Sequence, residues 1–412
     1  MIKTLKSLDL LMLALLILSL PSLEAPKNIF LVAFLVTRII IEFIQFKAGE
    51  KQWDNWDKLF LLLVFTAFLS TFYAGMPYLE EWKGYKVFLT AILTGWLLSR
   101  AHYSKENYQG LFQLIIIGCI PPLVWGLYEY LIINTRSSLE VHSVGHVNHS
   151  AIYLVIIFGA TLGWFLSQFK SHNKTPKSSY LLLGLLSFIF FISLIIGQSR
   201  GAFGIAIILG LFITFLLAKN KKHAILVSAS IISIVFCTVF FNAGIIKKQI
   251  TNQENHRILA FRDKVWNVSI EASRFSPLLG IGMSNWHFIS LEQLKNSVEK
   301  RGGNYDSRIY AFPGHSHNLY LTALVERGVL GLLMTFLFMA YWIQNLKKTF
   351  TWAKKTTLSG CLWAGSFSAW FATFGIGFVN TTFHHEHAIL SCLLLGLYLS
   401  YRSSFTKKKN YV

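Results

Sequence analysis

The chain has 412 residues, of which 54% are hydrophobic, 15% aromatic and only 14% charged, with a formal net charge of +19. A charged share so far below the ~25% of ordinary soluble domains excludes a water-soluble enzyme, and so apolar a chain must bury its surface rather than stay disordered. The positive charge sits in short clusters between apolar runs, as membrane topology places it, so a nucleic-acid partner is not expected.

Apolar runs of about 20 residues recur from end to end, the length that crosses a bilayer as a helix. The reading is an all-α polytopic membrane protein with about twelve spans. They fall roughly at 8–21, 27–46, 58–75, 85–99, 109–133, 149–169, 179–197, 200–218, 223–245, 318–345, 358–381 and 387–402. The first run is followed by Ser22-Leu23-Glu24-Ala25-Pro26, a poor cleavage site, so a retained helix is expected rather than a signal peptide. With the N-terminus in the cytoplasm, every cytoplasmic loop is basic, as in Lys219, Lys221 and Lys222 or Lys347, Lys348, Lys354 and Lys355. The short outer loops hold only Lys27, Lys83, Lys86, Arg136 and Arg200. A missed span would invert all that follows and break this positive-inside pattern. Three regions result: 1–245 with helices 1–9, an outer loop domain at 246–317, and 318–412 with helices 10–12 and a basic tail ending in Lys407-Lys408-Lys409.

The 246–317 loop is long enough to be functional. Ile258, Phe261, Val265 and Trp266 recur at helical spacing, so a small helical outer domain is expected. Cys119, Cys237, Cys361 and Cys392 lie far apart inside apolar runs and read as buried hydrophobes.

Residues suited to chemistry gather on the outer face. Arg200 lies in the tight Gly197-Gln198-Ser199-Arg200-Gly201 turn, placed either to meet a phosphate or to touch lipid headgroups. Arg262 and Trp266 are one helical turn apart, either a cation–π pair that aims the guanidinium or a surface stack. Pro313-Gly314-His315-Ser316-His317-Asn318 re-enters the membrane. Its histidines suit a general base, a helix cap or, with His384, His385 and His387, a metal, although no metal-ligand spacing is matched. His142, His146, Asn148 and His149 read as a wet loop or as sugar contacts. Arg38 and Glu42 are expected to neutralise each other, and Glu129 to reach the interface. No Walker loop, Rossmann fingerprint or nucleophile elbow is present, so a reaction here needs a substrate already activated and delivered to the outer face.

Three elements in order resemble the bacterial O-antigen ligase family, within the superfamily that includes O-antigen polymerases and protein O-oligosaccharyltransferases. They are Ser199-Arg200-Gly201, Arg262 and Trp266 with Gly280-Ile281-Gly282, and His315-Ser316-His317-Asn318 leading to Leu321, Glu326, Gly328 and Gly331. The resemblance runs from about span six to span eleven; His315 is an extra histidine beside the family's His-Asn pair. It implies a C-type glycosyltransferase fold in the bacterial inner membrane, with both termini cytoplasmic and the active site periplasmic. It also implies transfer of polysaccharide from undecaprenyl-diphosphate to lipid A–core in lipopolysaccharide biosynthesis, inverting, with no metal, nucleotide or other cofactor. The roles implied are His317 as base, Arg200 and Arg262 on the diphosphate, and His315, Asn318 and Trp266 in substrate contacts, with Asn318 either orienting the histidine or holding a sugar. Rival readings are a polymerase or protein-directed ligase of the same superfamily, and a polysaccharide flippase. A transporter would place charges at mid-membrane and show two similar halves, whereas here the polar residues gather in one loop.

Overall fold

A computed structural model describes residues 2–49, 52–141, 144–169, 177–241, 243–254 and 261–406. His142, Arg257, Ile258 and the Lys407-Lys408-Lys409 tail lie outside these residues. Every regular element among the described residues is helical. The long helices are α1 (Ile2–Ser19), α2 (Glu24–Lys47), α3 (Asn55–Phe72), α4 (Glu81–Ser99), α5 (Lys105–Ile117) and α6 (Ile120–Tyr128). They continue with α7 (Val147–Gln168), α8 (Lys177–Ile196), α9 (Arg200–Leu217) and α10 (Lys221–Phe240). Two short helices, α11 (Gly244–Glu254) and α12 (Arg262–Ala272), precede α13 (Leu291–Glu299). The chain ends with α14 (Leu319–Lys348), the single turn α15 (Phe350–Ala353), α16 (Thr357–Ile376) and α17 (His385–Thr406).

Nine of these stretches are long and apolar enough to cross a membrane, α5 and α6 counting together as Lys105–Ile133. The other three predicted spans coincide with α1, α4 and α16, which are long but more polar. Helix α4 opens on Glu81-Trp82-Lys83, and α16 is rich in Gly and Ser. The predicted fifth span is broken at Gly118-Cys119, because Pro121 and Pro122 can only occupy the first turn of a new helix. Its last turn widens into a π-helix over Glu129–Ile133.

Small residues decide what lies at the centre. Helix α7 is 89% buried along its apolar window, against 11% for α10 at the rim. Gly159 and Gly163 lie one turn apart on α7 and face Ala364 and Ser368 of α16. In lipid, where apolar side chains gain little by leaving their surroundings, such close backbone approach supplies the packing. A β-carbon on Gly163 would stand 2.1 Å from that of Ala364. Gly163→Ala is therefore expected to cost the ~1–3 kcal/mol of an overpacked site and to lower the melting temperature in detergent. Gly110→Ala, where a β-carbon meets nothing within 4 Å, serves as the control.

One group of charges inside the bundle is paired. Arg38 bonds Glu42 as expected and also reaches Asp9 at 3.4 Å, while Arg100 holds Glu42 at 2.8 Å and Asp57 at 2.5 Å. Glu129 stands 3.9 Å from Arg136, at the end of its span. Cys119, Cys361 and Cys392 are buried as expected, but Cys237 is exposed, because α10 turns most of its surface away from the bundle.

The segment after α10 builds its own apolar cluster from Val265, Val268, Ala272, Ile281, Trp286 and Leu294, closed by Met76 and Val325 of the bundle. Its docking explains the glycines singled out in the sequence. Helix α14 breaks at Gly328 (φ +65°), and the chain 277–282 runs across the break. Ile281 N–H donates to Val325 O at 2.9 Å, Gly282 N–H to Glu326 O at 3.1 Å and Val329 N–H to Pro277 O at 2.8 Å. A β-carbon at Gly280 or Gly328 would come within 2.3 Å of the opposing backbone. Those positions are required by the crossing itself.

Candidate active site

Four of the helices that begin on the outer face are each entered through a residue in the left-handed region. Gln198 (φ +53°) precedes the Ser199 cap and Arg200, the first residue of α9; Phe261 (φ +63°) precedes Arg262, the first residue of α12. His317 (φ +48°) precedes Asn318 and α14, and His385 (φ +55°) opens α17. A β-carbon is disfavoured there, at a cost of order 1–3 kcal/mol, and such residues cluster at functional sites. The sharp entry places Arg200 and Arg262 at helix N-termini, where unpaired N–H groups and the helix dipole favour an anion.

Arg200, Lys248, Arg262 and His317 line one cleft of about 310 Å³, together with His146, Asn148, Asn252 and Asn380. Among the described residues, none of the three cations has a carboxylate partner. Arg200 donates to the Gln249 side-chain oxygen, and the buried Arg262 Nε has no hydrogen-bond partner. Ser199 Oγ donates to Asn148 Oδ1 at 2.9 Å, fixing one wall. Burial, reinforced by the charge of Arg200, pushes the Arg262 guanidinium down from its ordinary value; burial, Arg200 and Arg262 do the same to Lys248. His317 is lowered to about 4 by burial, by His315 and by Arg262, against a hydrogen bond with Asn380 that favours its charged form. At neutral pH His317 is thus an uncharged imidazole, able to accept a proton, with Nδ1 buried and unpartnered. Among the described residues, three cations without a carboxylate partner thus share the cleft with an uncharged imidazole, an arrangement suited to an anion.

A second cavity of about 390 Å³ lies beside the first, lined by His149, His315, His384, His385 and Glu326 among others. The rings of His315 and His317 are 4.0 Å apart between centroids, yet His315 faces this second cavity. Two of the residues singled out in the sequence lie outside both cavities. Asn318 lines neither cavity: its Oδ1 caps α14 by accepting from Tyr320 N–H at 2.9 Å and Leu321 N–H at 3.0 Å, and its Nδ2 donates to Phe378 O at 3.0 Å. Both ends of the amide are used in fixing the start of α14, next to His317, which fits the orienting role among the two read for it. Trp266 is on the same helix as Arg262, but no cation among the described residues stands over its ring, and its indole N–H is buried without a partner. His146, Asn148 and His149, read as a wet loop or as sugar contacts, stand at the cap and in the first turn of α7 and line the two cavities. Lys248 escaped the sequence reading because Lys247-Lys248 looks like a solvated pair. Asn380, in the turn before α17, carried no signal.

Fold and site together define a polytopic, all-helical membrane protein with a cationic cleft at the mouth of its bundle. Residues 185–336 match the family model described as O-antigen ligase, which bears out the resemblance and supports the O-antigen ligase family for this chain. The match runs from α8 into α14 and takes in Arg200, Lys248, Arg262, His315 and His317. It supports a ligase- or polymerase-type function within a superfamily of membrane glycosyltransferases, with lipid-linked polysaccharide and lipid acceptors as partners in general. No curated protein matches the chain.

Proposed function

We propose that this protein is an O-antigen ligase that moves polysaccharide from undecaprenyl-diphosphate to a sugar hydroxyl of lipid A–core. It would act in the bacterial inner membrane, with a C-type glycosyltransferase fold, both termini in the cytoplasm and the cleft facing the periplasm. The observation that carries the reading is the cleft in which Arg200, Lys248 and Arg262 lack any carboxylate partner among the described residues and share their space with neutral His317. The cations hold the donor diphosphate. His317 takes the proton of the acceptor hydroxyl as its oxygen attacks the anomeric carbon. The bond from that carbon to the diphosphate oxygen breaks, and its electron pair leaves on the diphosphate. One displacement inverts the anomeric centre, and the step draws on protein side chains alone. Fixed cations aimed at a charge that grows in the transition state are worth several kcal/mol of barrier.

The test is lipopolysaccharide banding on a gel, in cells that lack their own ligase and carry this protein or His317→Ala at equal membrane levels. The wild type should restore the ladder and the variant should not. Accumulation of carrier-linked polymer without a ladder, from a well-expressed wild type, would overturn the ligase reading. The polymerase or protein-directed transferase would then take its place.

A further inference from the structure

The second cavity gathers histidines that the transfer step leaves unused. His149 lies in the first turn of α7, while His384 and His385 lie at the start of α17; their ligand nitrogens all fall within 4.8 Å of one another. The rings of His149 stand 4.9 Å from His384 and 4.8 Å from His385, and the left-handed turn at His385 brings the two consecutive rings to 4.3 Å. Hydrogen bonding does not account for the cluster. Nδ1 of His384 is buried without a partner, and His387, 5.4 Å from His149, has both ring nitrogens buried and unpartnered. The adjacent carboxylate does not compete, because Glu386 is paired with Lys27.

We propose that His149, His384 and His385 form a binding site for a divalent transition-metal ion of the zinc, cobalt or nickel kind, with a fourth position open to the 390 Å³ cavity. An all-imidazole donor set suits these ions and disfavours magnesium or calcium, which take oxygen ligands. Zinc–nitrogen bonds of about 2.0–2.1 Å in a tetrahedron place the nitrogens ~3.4 Å apart. No pair therefore has to close by more than about 1.4 Å on binding. None of the three ligands lines the cationic cleft, so the ion is not the reacting group. It fastens the N-terminus of α7 to that of α17, beside His315, and so stiffens the wall that carries the proposed base.

The test uses the full chain, untagged, in detergent, stripped with a chelator and titrated with Co²⁺. Visible absorption of tetrahedral cobalt should appear at one equivalent and vanish when Zn²⁺ is added. His149→Ala and His384→Ala should each weaken binding at least about tenfold, while His102→Ala, at a residue hydrogen-bonded to Ser404 away from the cavity, should not. Zn²⁺ should raise the melting temperature of the wild type but not of His385→Gln, whose metal-free melting temperature reports that it is folded. Unchanged cobalt binding in the His149→Ala/His384→Ala double variant, or no binding by the wild type at micromolar Co²⁺, overturns the proposal. His317→Ala should bind cobalt normally even if it has lost transfer, so this site and the proposed function fail separately.

Discussion

Arg262→Ala is expected to lower transfer by about 10²–10³-fold, the cost of removing one fixed donor to a developing anion, without lowering the melting temperature. The two effects separate because of what surrounds the side chain. Arg262 has no carboxylate partner among the described residues, its Nε is buried and unpaired, and Arg200 and Lys248 share its cleft. Removing it takes away like-charge repulsion and an unsatisfied donor, so the folded protein loses little and stands to gain. Arg262→Lys keeps the charge but not the two-pronged geometry, and should fall between wild type and alanine. Arg200 differs in one respect. It donates to Gln249, so Arg200→Ala also frees α11 and should cost some stability along with transfer. The measurements are in vitro transfer to a core acceptor and a thermal melt of the same preparation. A melting temperature several degrees lower for Arg262→Ala would assign the arginine to the fold instead of the donor.

Much of the helical framework was legible because lipid imposes one simple demand, long apolar runs that satisfy their own backbone. The breaks were harder to see. Pro121-Pro122 marks the interruption of the fifth span, which a reading of hydropathy alone passes over. The kink in α14 depends on Gly328 meeting the chain 277–282, a pairing some fifty residues apart that no local pattern carries. The site was legible in part. Arg200 and His317 stood out at membrane edges and Arg262 in the outer segment by its spacing to Trp266, and the structure brings all three to one cleft. Asn318 carried a further signal: an Asn directly before an apolar helical run is an N-cap. Lys248 was missed since its significance comes only from Arg200 and Arg262, which reach it through the fold. The grouping of His149 with His384 and His385 joins residues more than 230 positions apart, and again only packing shows it.

The acid side of the pH profile should separate His317 from an ordinary histidine. Its imidazole is lowered to about 4, chiefly by burial and then by His315 and Arg262. A depressed value means that the neutral, proton-accepting form persists as pH falls below 6.5 and is lost only as pH approaches about 4. Since kcat/KM reports groups of the free enzyme, its acid limb should lie well below 6.5. The limb of kcat should lie higher, because a bound diphosphate neutralises the cations that hold His317 down. His317→Ala removes a general base worth roughly 10²–10⁴ in rate and should flatten this limb, leaving a slow, nearly pH-independent transfer. Arg262→Ala provides the linked test. Without that charge, His317 should titrate closer to 6.5, so the variant's acid limb should move up while its maximum rate drops. A limb that stays in place in Arg262→Ala, or survives in His317→Ala, would assign the titration to another group, and His315 on the neighbouring cavity would be the next to replace.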